Sequence, residues 1–164
     1  MRHLPIAVLC VVCSVAPLWA QEHEWVDHHN ERFGLGLSYP ANVFRLERAT
    51  TEGDGRLFRS SDGKARLLIG AFVNTDRHSP ASYQRFAARY SYAGMTIDYA
   101  PIGRSWTVLS GIRGDTMVYE KAMFSCGGML INSFAMLYPV EERDFYDPIV
   151  ERIEDSFRPG QGEC

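Results

Sequence analysis

Between Gln21 and Asn30 the chain reads QEHEWVDHHN, three histidines and three carboxylates in ten positions. Such a run has two physical readings. If a mature chain begins at Gln21, its free amine, the amides of Glu22 and His23 and the His23 imidazole form a square-planar nitrogen set. That geometry and those donors suit Cu(II) or Ni(II), and His28 and His29 would offer a second donor set. Cyclisation of Gln21 to pyroglutamate would remove the amine. The other reading is a solvated polar leader, residues 21–30, ahead of a folded domain. No His-Glu-x-x-His or Cys-x-x-Cys spacing points to zinc.

Cys126 is the next residue type with chemistry. It stands before Gly127 and Gly128 at the end of an apolar stretch. As a nucleophile it would need an unpaired, low-pKa thiol beside a base, and His78 is the one histidine beyond position 29. Compartment argues for pairing instead. Arg2 and His3 precede a dozen mostly apolar residues, Leu4–Val15, and Ala20 precedes the polar QEHE. These three parts describe a secretory signal cleaved after Ala20. The apolar run is short for a spanning helix, which needs about 20 residues. Cys10 and Cys13 leave with the signal, and Leu9 and Val12 before them do not suit lipidation. Cys126 and Cys164 remain, and in an oxidising compartment an even count favours a disulfide. The tail after residue 157 can span roughly 20 Å at about 3.3 Å per residue, enough for Cys164 to return to Cys126.

Other candidates are weaker. Glu120 and Lys121 sit mid-strand among apolar neighbours, and Asn132 lies in the next strand. They form either a cross-strand polar face or, with Arg104 and Trp106, a ligand groove. Trp25, Tyr83, Tyr90 and Tyr92 read as core or edge aromatics rather than a sugar platform. GDG and SDG are turn chemistry, without the remaining ligands of a calcium loop. No Gly-x-Ser-x-Gly, Ser-x-x-Lys or P-loop occurs. A formal charge of −3 and a pI of about 5.9 give no electrostatic reason to expect nucleic acid.

The elements that must position these residues follow from periodicity. Phe33, Leu35, Leu37 and Tyr39 alternate with Gly34, Gly36 and Ser38, a half-buried strand ended by Pro40. NVFRL reads as a second strand. GRLFRS, SDG and KARLLIGAFV read as strand, turn and strand, with Asp62-Gly63 at the turn. Leu67–Val73 is apolar on both faces, which predicts a central strand covered on both sides. Ser79 as cap, Pro80 at the first helical position and Tyr83, Phe86, Ala87 and Tyr90 as a stripe predict a helix over 79–92. Four strands follow at MTIDYA, SWTVLSG, TMVYEKAMF and MLINSFAMLY. Asp147-Pro148 opens a second helix, 148–157. Strands, helix, strands, helix is an α+β order with a mainly antiparallel sheet.

RFGLGLSYPANVF, with GDGRLFRSSDGKARLLIG, WTVLSG, SFAMLYP and DSFRPG following in order, resembles the PsbP-like family. That family shares its α/β/α sandwich with the Ran-binding Mog protein and DcrB-like envelope proteins. The resemblance covers residues 31–159 and leaves 160–164 as a tail. It implies a three-layer sandwich and a non-catalytic binding or accessory module, here periplasmic or secreted. The partner would be an envelope protein or a small ligand, with no transmembrane span in the mature chain. An N-terminal copper or nickel chelator and a small hydrolase with an unrecognised site are the rival readings.

Overall fold

A computed structural model describes residues 22–51, 54–162 and 164. The signal expected at 1–20, and Gln21, lie outside the described residues. Nine strands and two helices follow in chain order: β1 (Trp25–His29), β2 (Gly36–Pro40), β3 (Phe44–Ala49), β4 (Gly55–Ser60), β5 (Arg66–Val73), α1 (Pro80–Phe86), β6 (Thr96–Tyr99), β7 (Trp106–Arg113), β8 (Thr116–Ser125), β9 (Leu130–Pro139) and α2 (Arg143–Ser156). Seven strands form one sheet, β3-β4-β5-β9-β8-β7-β6, antiparallel throughout. β1 and β2 form a separate hairpin.

Three layers result, as the resemblance implies, around the mainly antiparallel sheet that the α+β order predicts. One face of the sheet packs against α2 and the hairpin, joining Leu35, Leu37, Phe44, Phe58, Leu67, Phe134, Met136, Ile149 and Ile153 in one core. The other face packs against α1, where Tyr83 and Ala87 meet Leu109, Val118, Ala122 and Ile131. Ser79 caps α1 through a reciprocal box with Ser82, and Pro80 occupies its first turn. This is the chemistry read from HSPAS. A π-turn, Ala87–Ser91, extends the helix.

Three expectations need correction. The leader expected at 21–30 is not free over its described part, because Trp25–His29 is a paired strand. Asp27 and His29 point to solvent, while His28 is buried against Phe58 at 6.4 Å. The alternation is hidden in the sequence because its inward residue is a histidine. Burial, then Arg56 and His29, hold the His28 imidazole below its usual pKa, so it suits an apolar site as the neutral ring. The second helix begins at Arg143, a turn before Pro148. That turn buries Tyr146 against Tyr138, 5.2 Å between ring centres, and burying such a side chain contributes about 1.5–3 kcal/mol. Finally, β5 is central but is not covered on both faces, since Leu68 and Phe72 are 40% and 39% exposed.

The C-terminal tail is tied on three sides. Arg158 exchanges backbone hydrogen bonds with Gly36, and the Gly162 amide donates to the Phe33 carbonyl at 2.9 Å. The Gly160 amide donates to Asn132 Oδ1 at 2.9 Å, and Ser125 Oγ donates to the Gly160 carbonyl at 2.6 Å. A Cβ at Gly160 would lie 2.0 Å from the Phe33 oxygen, so only glycine fits. Cys164 closes the tail in a disulfide with Cys126, Cα to Cα 5.2 Å across 38 residues of sequence. Loop closure of this length contributes about 3–4 kcal/mol in the chain-entropy model. Cys164→Ser should therefore lower the free energy of unfolding by about that amount, read as a lower urea midpoint at unchanged slope, and leave the circular-dichroism spectrum native. An unchanged midpoint would contradict the account.

Candidate functional site

The polar residues singled out in the sequence fall on different faces. Successive residues of a strand point to opposite sides of a sheet, so Glu120 and Lys121 separate. Lys121 turns toward α2, where its Nζ reaches Glu154 at 2.7 Å and lies 5.9 Å from the Trp106 ring. Tyr119 donates to the same Glu154 carboxylate. Asn132 is on that side too, wholly buried. Its amide donates to Ser125 Oγ at 3.0 Å and its oxygen holds Gly160. Asn132 is a tail anchor, and Trp106 is part of a packed layer. Arg104 is exposed at the end of the sheet. The four residues expected as one groove do not come together.

Glu120 stands alone on the α1 side, 6% exposed at the seam between the covered and open halves of the sheet. Tyr83 Oη donates to its Oε1 at 2.8 Å, and Tyr92 also hydrogen-bonds to it. Nine residues separate the two tyrosines, which would place them on opposite sides of a straight α-helix. The π-turn between them changes the phase, and both hydroxyls reach one carboxyl. Burial pushes the Glu120 carboxyl above its ordinary range, against the two tyrosine hydrogen bonds that lower it. Burial and the Glu120 charge push both tyrosines well above theirs.

Glu120 and Tyr92 border a pocket of about 300 Å³ whose walls include Arg48, Leu57, Leu68, Ser133 and Ala135. The pocket is part of a wider open area. α1 packs mainly against β7 and β8, with Ile131 of β9 beneath it and Phe72 at the end of β5 6.3 Å from the Tyr83 ring, so β3, β4 and most of β5 lie open on this side. Leu57 pairs with Leu68 across strands, Arg45 with Arg59 and Arg59 with Arg66, while Arg48 opposes Leu57. Paired residues share a face, so two leucines and four arginines lie together. Arg59 is engaged by Glu47 through two contacts, 2.7 and 3.0 Å. Sequence reasoning missed this surface because its residues come from three strands. The usable signal was Glu120 alternating with Val118 and Ala122 on an apolar face.

The metal set is not gathered among the described residues. No group of three or more histidine, cysteine or acidic side chains is placed to hold an ion there. His28 and His29 face opposite ways, so they form no second donor set, and the His23 ring packs 5.5 Å from Phe145. The amine of Gln21, which the copper or nickel reading needs, is outside the described residues. Cys126 is in a disulfide and offers no thiolate. No helix among the described residues is long and apolar enough to cross a membrane.

A seven-stranded antiparallel sheet with a helix on each face is a PsbP-like sandwich, and solved structures bear this out. The chain superposes on cyanobacterial PsbP (CyanoP) from Synechocystis sp. PCC 6803 with a TM-score of 0.58 and 11% identity, covering 88% of this chain and 97% of that one. It superposes on the Saccharomyces cerevisiae Ran-binding protein Mog1p with a TM-score of 0.59 and 6% identity, covering 85% and 97%. At such identities the likeness is one of fold. No protein-family model matches the sequence, and no curated protein matches it at a significant level.

Glu120 makes stability depend on pH. Unfolded, it ionises near the ordinary value of 4.5; folded, it keeps its proton to higher pH. Between those two values the folded state binds more protons, so its stabilising share is full below the unfolded pKa and falls as pH rises. The slope is at most about 1.4 kcal/mol per pH unit. Replacing Glu120 with Gln should remove the decline, so urea titrations should show the variant gaining on the native protein as pH rises above that point. A difference independent of pH would contradict this assignment.

Proposed function

We propose that this chain is an exported, non-catalytic accessory protein of the cell envelope that docks a partner protein on the open half of its sheet. The observation that carries the reading is the arginine-framed apolar surface of β3, β4 and β5. Leu57 and Leu68 supply the apolar contact, and Arg45, Arg48 and Arg66 surround them, in a chain whose net charge is −3. A surface of that sign on an acidic protein suits a partner segment carrying carboxylates beside apolar side chains. Export is supported by the three-part leader and by the Cys126–Cys164 disulfide, a bond that persists in oxidising compartments. The non-catalytic reading is supported by the state of the candidate groups. The Cys126 sulfur is bonded, and the Glu120 carboxyl is occupied by two tyrosine hydroxyls. Mog1p, of like fold, is described as Ran-binding, so the sandwich is compatible with protein recognition.

A photo-crosslinking residue at Leu68 in the full chain, produced in its own cells, should give one discrete adduct in the envelope fraction. The same residue at Phe145, on the opposite layer, should not give that adduct. Arg48→Glu with Arg66→Glu should reduce the yield about tenfold or more, the scale of losing two charge-assisted contacts. An adduct insensitive to charge reversal, or none from Leu68, would contradict the reading.

A further inference from the structure

A second concavity lies at the far end of the sheet. The β5–α1 connection, the segment before β7 and the β8–β9 turn enclose a cleft of about 1000 Å³. Its apolar wall includes Val73, Phe124 and Met129, and its polar wall includes Arg77, His78 and Arg104. Val73 and Met129 are 54% and 60% exposed, a high value for apolar side chains flanking a strand. No aspartate or glutamate lines the cleft, although acidic residues outnumber basic ones in the chain. Neither the Arg77 nor the Arg104 guanidinium has a hydrogen bond or ion pair among the described residues. Asp76, just outside the lining, lies 3.9 Å from His78 Nε2, which leaves the two guanidinium groups as the charges that line the cleft. Two cations beside an apolar wall that is exposed at Val73 and Met129 is the composition of a site for a ligand with an anionic head and an apolar body.

The walls are fixed in advance of any ligand. Asn74 is buried, and its amide donates to the carbonyls of His78 and Gly128, both at 2.8 Å. Its oxygen accepts from the His78 amide at 2.8 Å. One side chain therefore joins the two loops that face each other across the cleft. The disulfide at Cys126 holds the turn from behind. Arg77 has φ of +51°, a left-handed conformation that is unfavourable for a non-glycine residue. Arg77 and Cys126 are the described non-glycine residues with positive φ, and both belong to the loops that build this cleft. Strain of this kind, held by a buried asparagine and a disulfide, preorganises a site and so lowers the cost of binding.

We propose that the cleft binds an anionic amphiphile. A carboxylate or phosphate head sits between Arg77 and Arg104, and an acyl or alkyl chain lies along Val73, Phe124 and Met129. The site is separate from the open sheet face, whose arginines belong to β3, β4 and β5.

Calorimetric titration of the full mature chain, with each probe below its micelle concentration, tests this. Dodecyl phosphate and laurate should bind at one site, and inorganic phosphate should bind at least about tenfold more weakly, since it lacks the buried chain. Dodecyltrimethylammonium should not compete. Arg77→Asn with Arg104→Gln should weaken dodecyl phosphate at least about tenfold, the scale of losing charged hydrogen bonds; asparagine tolerates the left-handed backbone, which protects folding. Arg152→Gln, on the opposite layer, should leave affinity unchanged. Preference for laurate over dodecyl phosphate would assign a fatty-acid source, and the reverse a phospholipid headgroup. Equal binding of the cationic chain, binding undiminished in the double variant, binding only to anionic vesicles, or no binding would each overturn the proposal.

Discussion

A single α-helix is about 10–12 Å across, and strands are spaced about 4.8 Å apart, so one helix shelters two or three strands. The sheet here has seven. α2 and the β1–β2 hairpin together cover one face. On the other face α1 and its π-turn provide the cover, mainly over β7 and β8 and in part over β9. The mismatch between one short helix and a wide sheet is the constraint from which the remaining features follow. It leaves β3, β4 and β5 open, exposes Leu68 and Phe72, and makes Glu120 a boundary residue between a dry interior and a pocket.

Glu120 then has a structural purpose. A carboxyl at the seam would be costly without partners, and the two tyrosines that satisfy it come from α1 and the segment after its π-turn. The same hydrogen bonds fix where α1 lies on the sheet, with Gln84 reinforcing it by donating to Thr107 Oγ1 and the Val108 carbonyl at 2.7 Å. On the opposite layer Asn132 does comparable work for the tail. Both are buried polar groups that choose one arrangement among several possible ones, at a cost that apolar residues would not incur.

Local chemistry was legible in the sequence and long-range pairing was not. Asp62-Gly63 announces the β4–β5 turn, and Ser79-Pro80 announces α1, because turns and caps act within a few residues. The alternation in Leu37–Tyr39 and the meander from β6 to β9 were equally plain. β1 escaped because its inward side chain, His28, is polar. The early start of α2 escaped because it depends on Tyr146 meeting Tyr138 and Phe44, contacts made only in the folded chain. The groove expected from Arg104, Trp106, Glu120 and Asn132 failed for the same reason: strand parity and sheet order decide which polar residues share a face. The open surface itself is a property of which strands α1 leaves bare, and no single segment carries that information.

Hydroxyl-radical footprinting of the protein in intact cells, and again after purification, reads whether the open half of the sheet is covered. Leu57 and Leu68 should be oxidised in the purified protein and protected in the cells. Tyr99 and Phe145, exposed elsewhere, should react equally in both. Equal labelling of Leu57 and Leu68 in the two states would mean that nothing covers the open half of the sheet, and would contradict the account.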